Sequence, residues 1–400
     1  MTTEAPTAAP ARPRRVLAAM SGGVDSAVAA ALLAERGDEI TGVTLKLWCY
    51  GKTPLSPRAC CTLDAIDDAR RVARRCGFPH YVVEAEEVFR ARVLQPFLDA
   101  YAGGRTPYPC ALCNQHLKFG DLMSRAHETG ADALATGHYA RVERLEDGPA
   151  LLRARDATKD QSYALALVPY AALGRVVFPL GDLEKNEVRA HGQRLGLSVW
   201  DKPESQDLCF VPDGDYAGFM KQSLGETRGT APGPFLDRAG RRLGTHRGII
   251  HYTVGQRRGL GLAAPEPLHV LAIDARRNAV VVGPKSALDC AGLVTAPVNW
   301  LMPRPPAAGA AVEVKIRYHH RPAAAHVFPR ADGSAEVRFD APQPAVTPGQ
   351  LCVFYRGERC LGGAAIEHAL AADGAPLAHG DGADAAPRGE PVSLVTIAIS

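Results

Sequence analysis

A strand, a glycine-rich turn and a helix follow one another between residues 15 and 36, and this unit constrains the fold more than any other stretch. Arg15–Met20 is apolar enough for a buried strand, and Ser26–Arg36 has the composition of a helix. The turn between them reads Ser21-Gly22-Gly23-Val24-Asp25-Ser26. Further strands are expected at Glu39–Leu47, Tyr81–Val83 and Ala133–Thr136, and helices at Asp64–Cys76, Val88–Ala102 and about Leu117–Thr129. Short apolar strands alternating with helices predict a parallel, doubly wound α/β sheet covered on both faces.

The alternation fades near residue 200. From about 216, Gly, Pro and Arg become frequent and short alternating segments take over: Leu268–Asp274, Ala279–Val282, Val312–Tyr318, Glu336–Phe339 and Leu351–Tyr355. These predict a small, mainly β central domain followed by a C-terminal β-barrel. A chain of 400 residues has room for two or three domains. The expected divisions are a disordered 1–13, an α/β domain over 14–215, the central domain over 216–283, the barrel over 284–368 and a flexible tail over 369–400. Within that tail, 394–399 is apolar enough for a stray strand. With 46% apolar and 22% charged residues, a wholly disordered or fibrous chain is excluded.

No apolar run reaches the length of a membrane span, and Val16–Met20 is too short for a signal-peptide core. A cytoplasmic location without membrane association is expected. The ten cysteines (49, 60, 61, 76, 110, 113, 209, 290, 352 and 360) then sit in a reducing compartment, where spaced thiols suggest redox, sulfur or metal chemistry. Any single one can equally be a small buried hydrophobe. Cys60 and Cys61 read as structural, and Cys76, Cys290, Cys352 and Cys360 as residues without chemistry.

The turn at 21–26 suits a phosphate. Glycines let the backbone approach the anion, and a helix N-terminus offers free N–H groups and a positive dipole end. Ser21 and Ser26 add hydroxyls, and Ser26 is a candidate N-cap. The bland alternative is a tight strand-to-helix turn. The kinase-type loop ends in Gly-Lys-Ser/Thr; here no lysine follows, and Asp25 lies inside the turn instead. A carboxylate beside polyphosphate needs a bridging cation, so Mg²⁺ is implied. The string resembles the pyrophosphatase-loop (PP-loop) ATPases. That resemblance implies cleavage of ATP between its α and β phosphates and adenylation of an oxygen.

Two further clusters bear on the chemistry. Gly104-Arg105-Thr106-Pro107-Tyr108-Pro109-Cys110-Ala111-Leu112-Cys113-Asn114 stands where a helix begins, a position that would favour a Cys113 thiolate. Ser205-Gln206-Asp207-Leu208-Cys209-Phe210-Val211 carries a third cysteine far downstream. An adenylating loop with two separated cysteines is what sulfur insertion requires: one thiol carries a persulfide, and the other releases the product and leaves a disulfide. Separately, residues 236–262 hold six arginines (238, 241, 242, 247, 257 and 258) against one acid, Asp237, with His246, His251 and Tyr252 interleaved. Arginines on phosphates with an aromatic near an unstacked base fit recognition of a single-stranded RNA loop; charge alone fits a solvated loop equally well.

Taken with Thr136-Gly137-His138-Tyr139, Lys159-Asp160-Gln161-Ser162-Tyr163, Tyr252–Gly261 and Thr347-Pro348-Gly349-Gln350, these strings resemble the tRNA-specific 2-thiouridylase family over about residues 15–366. The resemblance implies an ATP-dependent tRNA-uridine 2-sulfurtransferase. It would adenylate the C2 oxygen of the wobble uridine, then transfer persulfide sulfur to give 2-thiouridine, AMP and pyrophosphate. Cys113 would release the product and Cys209 carry the persulfide, with Asp25 in the catalytic set. Ala19, Met20, Ser21, Gly22, Gly23, Val24, Asp25 and Ser26 would hold ATP, with Leu45 and Gly137 near adenine and ribose. Tyr108, Pro109 and Cys110 would lie beside the target uridine. His138, Lys159, Asp160, Gln161, Arg257, Arg258, Arg317, Tyr318 and Gln350 would touch tRNA. Sulfur would come from a cysteine desulfurase or a sulfur-relay protein.

One departure matters. Many members carry Asp at the position of Cys110, as a general acid/base; a thiol shuttles protons less readily at a free pKa of about 8.5. An alternative is a [4Fe-4S] cluster held by Cys110, Cys113 and Cys209. Two other readings stay open: an amide-forming synthetase with the same loop, and a non-catalytic tRNA-binding protein.

Overall fold

The structure is a computed structural model and describes residues 13–47, 62–203, 208–211, 214–227 and 229–375. Cys49, Cys60, Cys61, residues 205–207, the start of the chain to residue 12 and the tail from 376 lie outside the described residues, and so do the expectations placed on them.

The α/β part is as the sequence predicts. β1 (Arg15–Ala19) pairs in parallel with β2 (Glu39–Lys46), and β2 with β3 (His80–Glu84). On the other side β1 pairs with β4 (Ala133–Ala135), which pairs with a two-residue strand, Val176–Val177. The order is therefore β3-β2-β1-β4 with that short strand at the edge. Helix α1 (Val24–Glu35) carries six consecutive buried residues, Ser26 to Ala31. Small alanines let it lie close to the sheet, where it shares a core with Val16, Ala18, Ile40 and Val72. Helix α2 (Leu63–Cys76) starts on a Thr62 side chain that accepts from Ala65 N, and stops at Gly77 with φ +77°.

β1, β2 and β4 run in parallel, so Met20, the end of β2 and Thr136 meet along one edge of the sheet. Ligands of open α/β sheets bind at this carboxyl edge.

The C-terminal part closes on itself. Strands Asp289–Thr295, Ala335–Pro344, Ala323–Pro329, Ala310–Lys315, Leu351–Arg356 and Arg359–Leu370 follow one another by antiparallel pairing, and the last pairs back onto the first. Closure leaves no sheet edge among these six. The interior is filled by Leu293, Val314, Val327, Val337, Phe354 and Ile366. Between the two parts sits a four-stranded sheet, ordered His269–Asp274, Ala279–Gly283, Gly233–Leu236 and Arg242–His246.

One element crosses over. Arg141–Leu145 and Gly148–Leu152 form a hairpin in the middle of the α/β sequence, yet the second strand pairs with Arg359 and Cys360 of the barrel. The turn is Glu146-Asp147, and Gly148, with φ +121°, opens the second strand opposite Leu145.

Candidate active site

The turn after β1 is held by its own side chains. Ser26 Oγ accepts from Ser21 N at 3.0 Å and donates to Gly23 O at 3.2 Å, and Ser21 Oγ lies 3.2 Å from it. Ser26 is therefore not the N-cap. Gly23 takes that place with no side-chain cap, so the first N–H groups of α1 stay available to an outside acceptor. Gly22 sits at φ +72°, and a Cβ there would lie 2.1 Å from the Ala65 carbonyl oxygen of α2. Gly137 is equally constrained: its Cβ would lie 2.6 Å from Ser26 N. Ala19, Met20, Val24 and Leu45 complete this corner, with Thr44 Oγ1 donating to Met20 O at 2.7 Å.

The lysine absent from the loop arrives from elsewhere in the chain. Lys185 Nζ lies 2.6 Å from Asp25 Oδ1, which also accepts from Tyr139 OH at 2.8 Å. Lys202 Nζ donates to the Gly22 carbonyl at 3.1 Å and to Asp68 Oδ2 at 2.7 Å. Sequence reasoning missed both because nothing local marks them. Lys185 opens the helix Lys185–Arg194, whose Glu184–Glu187 capping box was a readable signal for the helix but not for the contact.

The cysteine-bearing helix runs over residues 109–128, starting eight residues before the expected point. Cys110 is its second residue and is exposed; Cys113 is its fifth and half-buried. Cys113 therefore follows the first turn of the helix and Cys110 lies within it. At Cys113 the winding widens to i→i+5 bonds that persist to Leu122. Cys209 is also half-buried. Leu112 and Cys113, together with Leu208 and Cys209, pack against one core of Phe89, Phe97, Phe210 and Phe219. The Phe210 ring stands edge-on to Phe97 at 5.1 Å and to Phe89 at 5.6 Å, which anchors the segment next to Cys209.

Among the described residues no three His, Cys, Asp or Glu side chains lie close enough together to hold a metal ion. Cys110, Cys113 and Cys209 as arranged do not form the three-thiolate ligand set of an iron–sulfur cluster. Cys76, Cys290, Cys352 and Cys360 fit their expected passive role: burial raises all four thiols, Cys290 to about 11 and Cys360 to about 12.

Leading into this helix, residues 104–109 are clamped by the other two parts of the molecule. Thr106 N donates to Pro348 O at 2.9 Å, Gln350 Nε2 donates to Thr106 O at 2.8 Å, and Arg105 pairs with Glu367 at 2.6 Å. Thr106 Oγ1 reaches Thr253 Oγ1 of the central part at 3.4 Å. Tyr108 lies nearly parallel to Tyr318 with centroids 6.2 Å apart, and Tyr163 stands edge-on to both. Lys315 Nζ lies 5.7 Å from the Tyr163 centroid and 5.8 Å from that of Tyr318. Burial lowers both Lys315 and Arg317 from their ordinary ranges and raises the Tyr108 hydroxyl. Tyr108, Pro109, Cys110, Tyr318 and Gln350 are thus brought together around one junction.

Other residues expected at the tRNA make bonds within the protein. Asp160 accepts from Ala154 N, Ser162 N and Ser162 Oγ, and Gln161 Oε1 accepts from Tyr139 N. His138 is half-buried between Phe119 and Phe178 with Nδ1 2.7 Å from Thr136 Oγ1; burial holds its pKa low. Lys159 is half-buried beside Asp160. Arg257 and Arg258, like the other four arginines of 236–262, are exposed. The aromatic part of that reading is corrected: His246 and Tyr252 are buried around Phe235 and are not offered to a base.

Three family models match in succession: the tRNA methyl transferase HUP domain over residues 14–213, the tRNA methyl transferase PRC-barrel domain over 219–284 and the aminomethyltransferase β-barrel domain over 291–366. They define the class, a HUP-type α/β domain followed by two barrel domains. Curated relatives narrow it. The tRNA-specific 2-thiouridylase MnmA of Magnetococcus marinus is 49% identical over 354 residues, covering 88% of this chain and 98% of that protein. The proteins of the same name from Geobacter metallireducens and Geotalea uraniireducens are 50% and 48% identical, covering 89% of this chain and 98% and 96% of their own. The chain belongs to the tRNA-specific 2-thiouridylase family. Among the described residues no helix is long and apolar enough to cross a membrane.

Proposed function

We propose that the protein uses ATP to replace the C2 oxygen of the tRNA wobble uridine with sulfur. The observation that carries this reading is the packing of Cys113 and Cys209 against one core, on a protein whose phosphate-type loop lies at the carboxyl edge of the parallel sheet. The family models are described by methyl transfer, whereas the relatives are named for thiolation. Two half-buried thiols sharing a core favour the sulfur chemistry.

The chemistry follows in two stages. The uridine C2 oxygen attacks the α phosphate of ATP and pyrophosphate leaves. Free N–H groups at the start of α1 stabilise the departing charge. Asp25 fits Mg²⁺, which takes one or two carboxylates beside phosphate oxygens; when bound it would neutralise the pyrophosphate. Cys209 carries a persulfide supplied by a cysteine desulfurase or relay protein. Its outer sulfur attacks C2 and AMP leaves. The Cys113 thiolate then attacks the inner sulfur, releasing 2-thiouridine and leaving a Cys113–Cys209 disulfide. A dithiol reductant restores both thiols for the next cycle. Tyr108, Tyr318 and Gln350 would receive the uridine's loop, and Arg257 and Arg258 would contact its phosphates.

The test uses purified protein, unmodified tRNA, ATP and a persulfide donor, reading 2-thiouridine by mass spectrometry and pyrophosphate separately. Cys113→Ser and Cys209→Ser should each reduce thiolation to background while releasing pyrophosphate, and Asp25→Ala should lose both. Unimpaired thiolation in either cysteine variant would sink the two-cysteine mechanism, and pyrophosphate release without any thiolation by the unaltered protein would return the amide-forming alternative.

A further inference from the structure

Nothing in the proposed reaction uses Lys202, yet it bonds the phosphate loop and precedes Cys209 in the chain. Its ammonium holds the Gly22 carbonyl at 3.1 Å from one side, while Gly22 rests against the Ala65 carbonyl of α2 on another. Its second partner, Asp68, is buried and also pairs with Arg71. Two cations share one carboxylate, which leaves one net positive charge at the rim of a loop built for anions. Seven residues further along the chain stands Cys209.

Two physical consequences follow. A peptide is planar and trans, so its carbonyl and the next N–H point in opposite directions. Fixing the Gly22 oxygen on Lys202 therefore fixes the direction of the Gly23 N–H, at the N-cap of α1. In addition, a polyphosphate in the loop attracts the ammonium in competition with Asp68. The main chain at 202 then experiences whether the loop is filled.

We propose that Lys202 is a positioning residue that orients the phosphate loop and makes the Cys209 segment respond to nucleotide. This rests on the reading of Ser21–Ser26 as the ATP site. It would explain how sulfur delivery is kept in step with adenylation, although loop and thiol lie on separate stretches of chain.

The experiment measures equilibrium binding of ATP, inorganic pyrophosphate and AMP to the full chain without tRNA, and maps the alkylation rate of Cys209 with and without ATP. Lys202→Met should weaken ATP and pyrophosphate about tenfold, the scale of one charge-assisted hydrogen bond, and leave AMP within about twofold. ATP should change the Cys209 alkylation rate several-fold in the unaltered protein and not in Lys202→Met. Lys202→Arg keeps the charge but not the ammonium geometry and should fall between the two. A third arm needs no variant: pyrophosphate should slow acetylation of Lys202 in the unaltered protein. If the unaltered protein binds neither ATP nor pyrophosphate, the ATP-site reading itself fails. If it binds them, but Lys202→Met binds as tightly and keeps its Cys209 response, only the role of Lys202 is overturned.

Discussion

The phosphate loop and the junction at residues 104–109 are built on opposite principles. The loop is contiguous: Ser21 and Ser26 bond to each other, and one glycine with positive φ lets the chain turn against α2. The junction is assembled from afar. Thr106 meets Pro348 and Thr253, Arg105 meets Glu367, and Tyr163, which stands edge-on to Tyr108, donates through its hydroxyl to Leu351 O. A contiguous motif can be damaged outright by one atom. An assembled junction shares its load over many weak contacts, so single substitutions should erode it.

Gly22→Ala should produce the largest effect. The added methyl would meet a backbone oxygen at 2.1 Å, and the residue would have to hold φ +72°. A left-handed conformation costs a non-glycine residue roughly 1–3 kcal/mol before any clash is counted. The expected outcome is a loss of at least about 2 kcal/mol in denaturant unfolding together with loss of measurable ATP binding. Wild-type stability and binding would show that the turn is not fixed by Gly22.

This contrast also explains what the sequence revealed. The strand–turn–helix unit, the parallel sheet and the closed barrel were legible because hydrophobic period and turn chemistry are local properties. Asp25 was legible for the same reason. Lys185 and Lys202 were not, since their meaning comes from partners brought near by the fold. Nothing in the residues of the hairpin beginning at Arg141 says that it pairs with the barrel. His246 and Tyr252 misled in the other direction: placed among six arginines they look like surface aromatics, and only packing around Phe235 shows them to be core. The start of the cysteine helix was missed because Pro109, a residue suited to the first turn, was read as part of the loop.

Tyr163→Phe probes the junction at its buried centre. The ring is fully buried and its hydroxyl donates to Leu351 O at 3.0 Å. Removing one such bond costs about 1 kcal/mol. ATP binding should be unchanged, since the loop is built without Tyr163. Thiolation should fall a few-fold as Tyr108 loses a rigid neighbour. A loss of ATP binding here would mean that the two regions are not separately constructed.

Glu367→Gln should have the smallest effect and gives the sharpest comparison. Arg105 and Glu367 are 2.6 Å apart, the shortest link across the junction described here, and the two side chains are 39% and 37% exposed. Exposed pairs of this kind contribute under about 1 kcal/mol, because water screens the attraction and two long side chains are immobilised to make it. Glutamine keeps the shape and one acceptor oxygen, so the backbone bonds of Thr106 to Pro348 and Gln350 should continue to hold the segment. The expected shift in unfolding is correspondingly slight and should shrink further in high salt, where the native pair is already screened. A loss as large as that of Gly22→Ala would show instead that this one ion pair carries the junction, and that the assembled region is as brittle as the contiguous one.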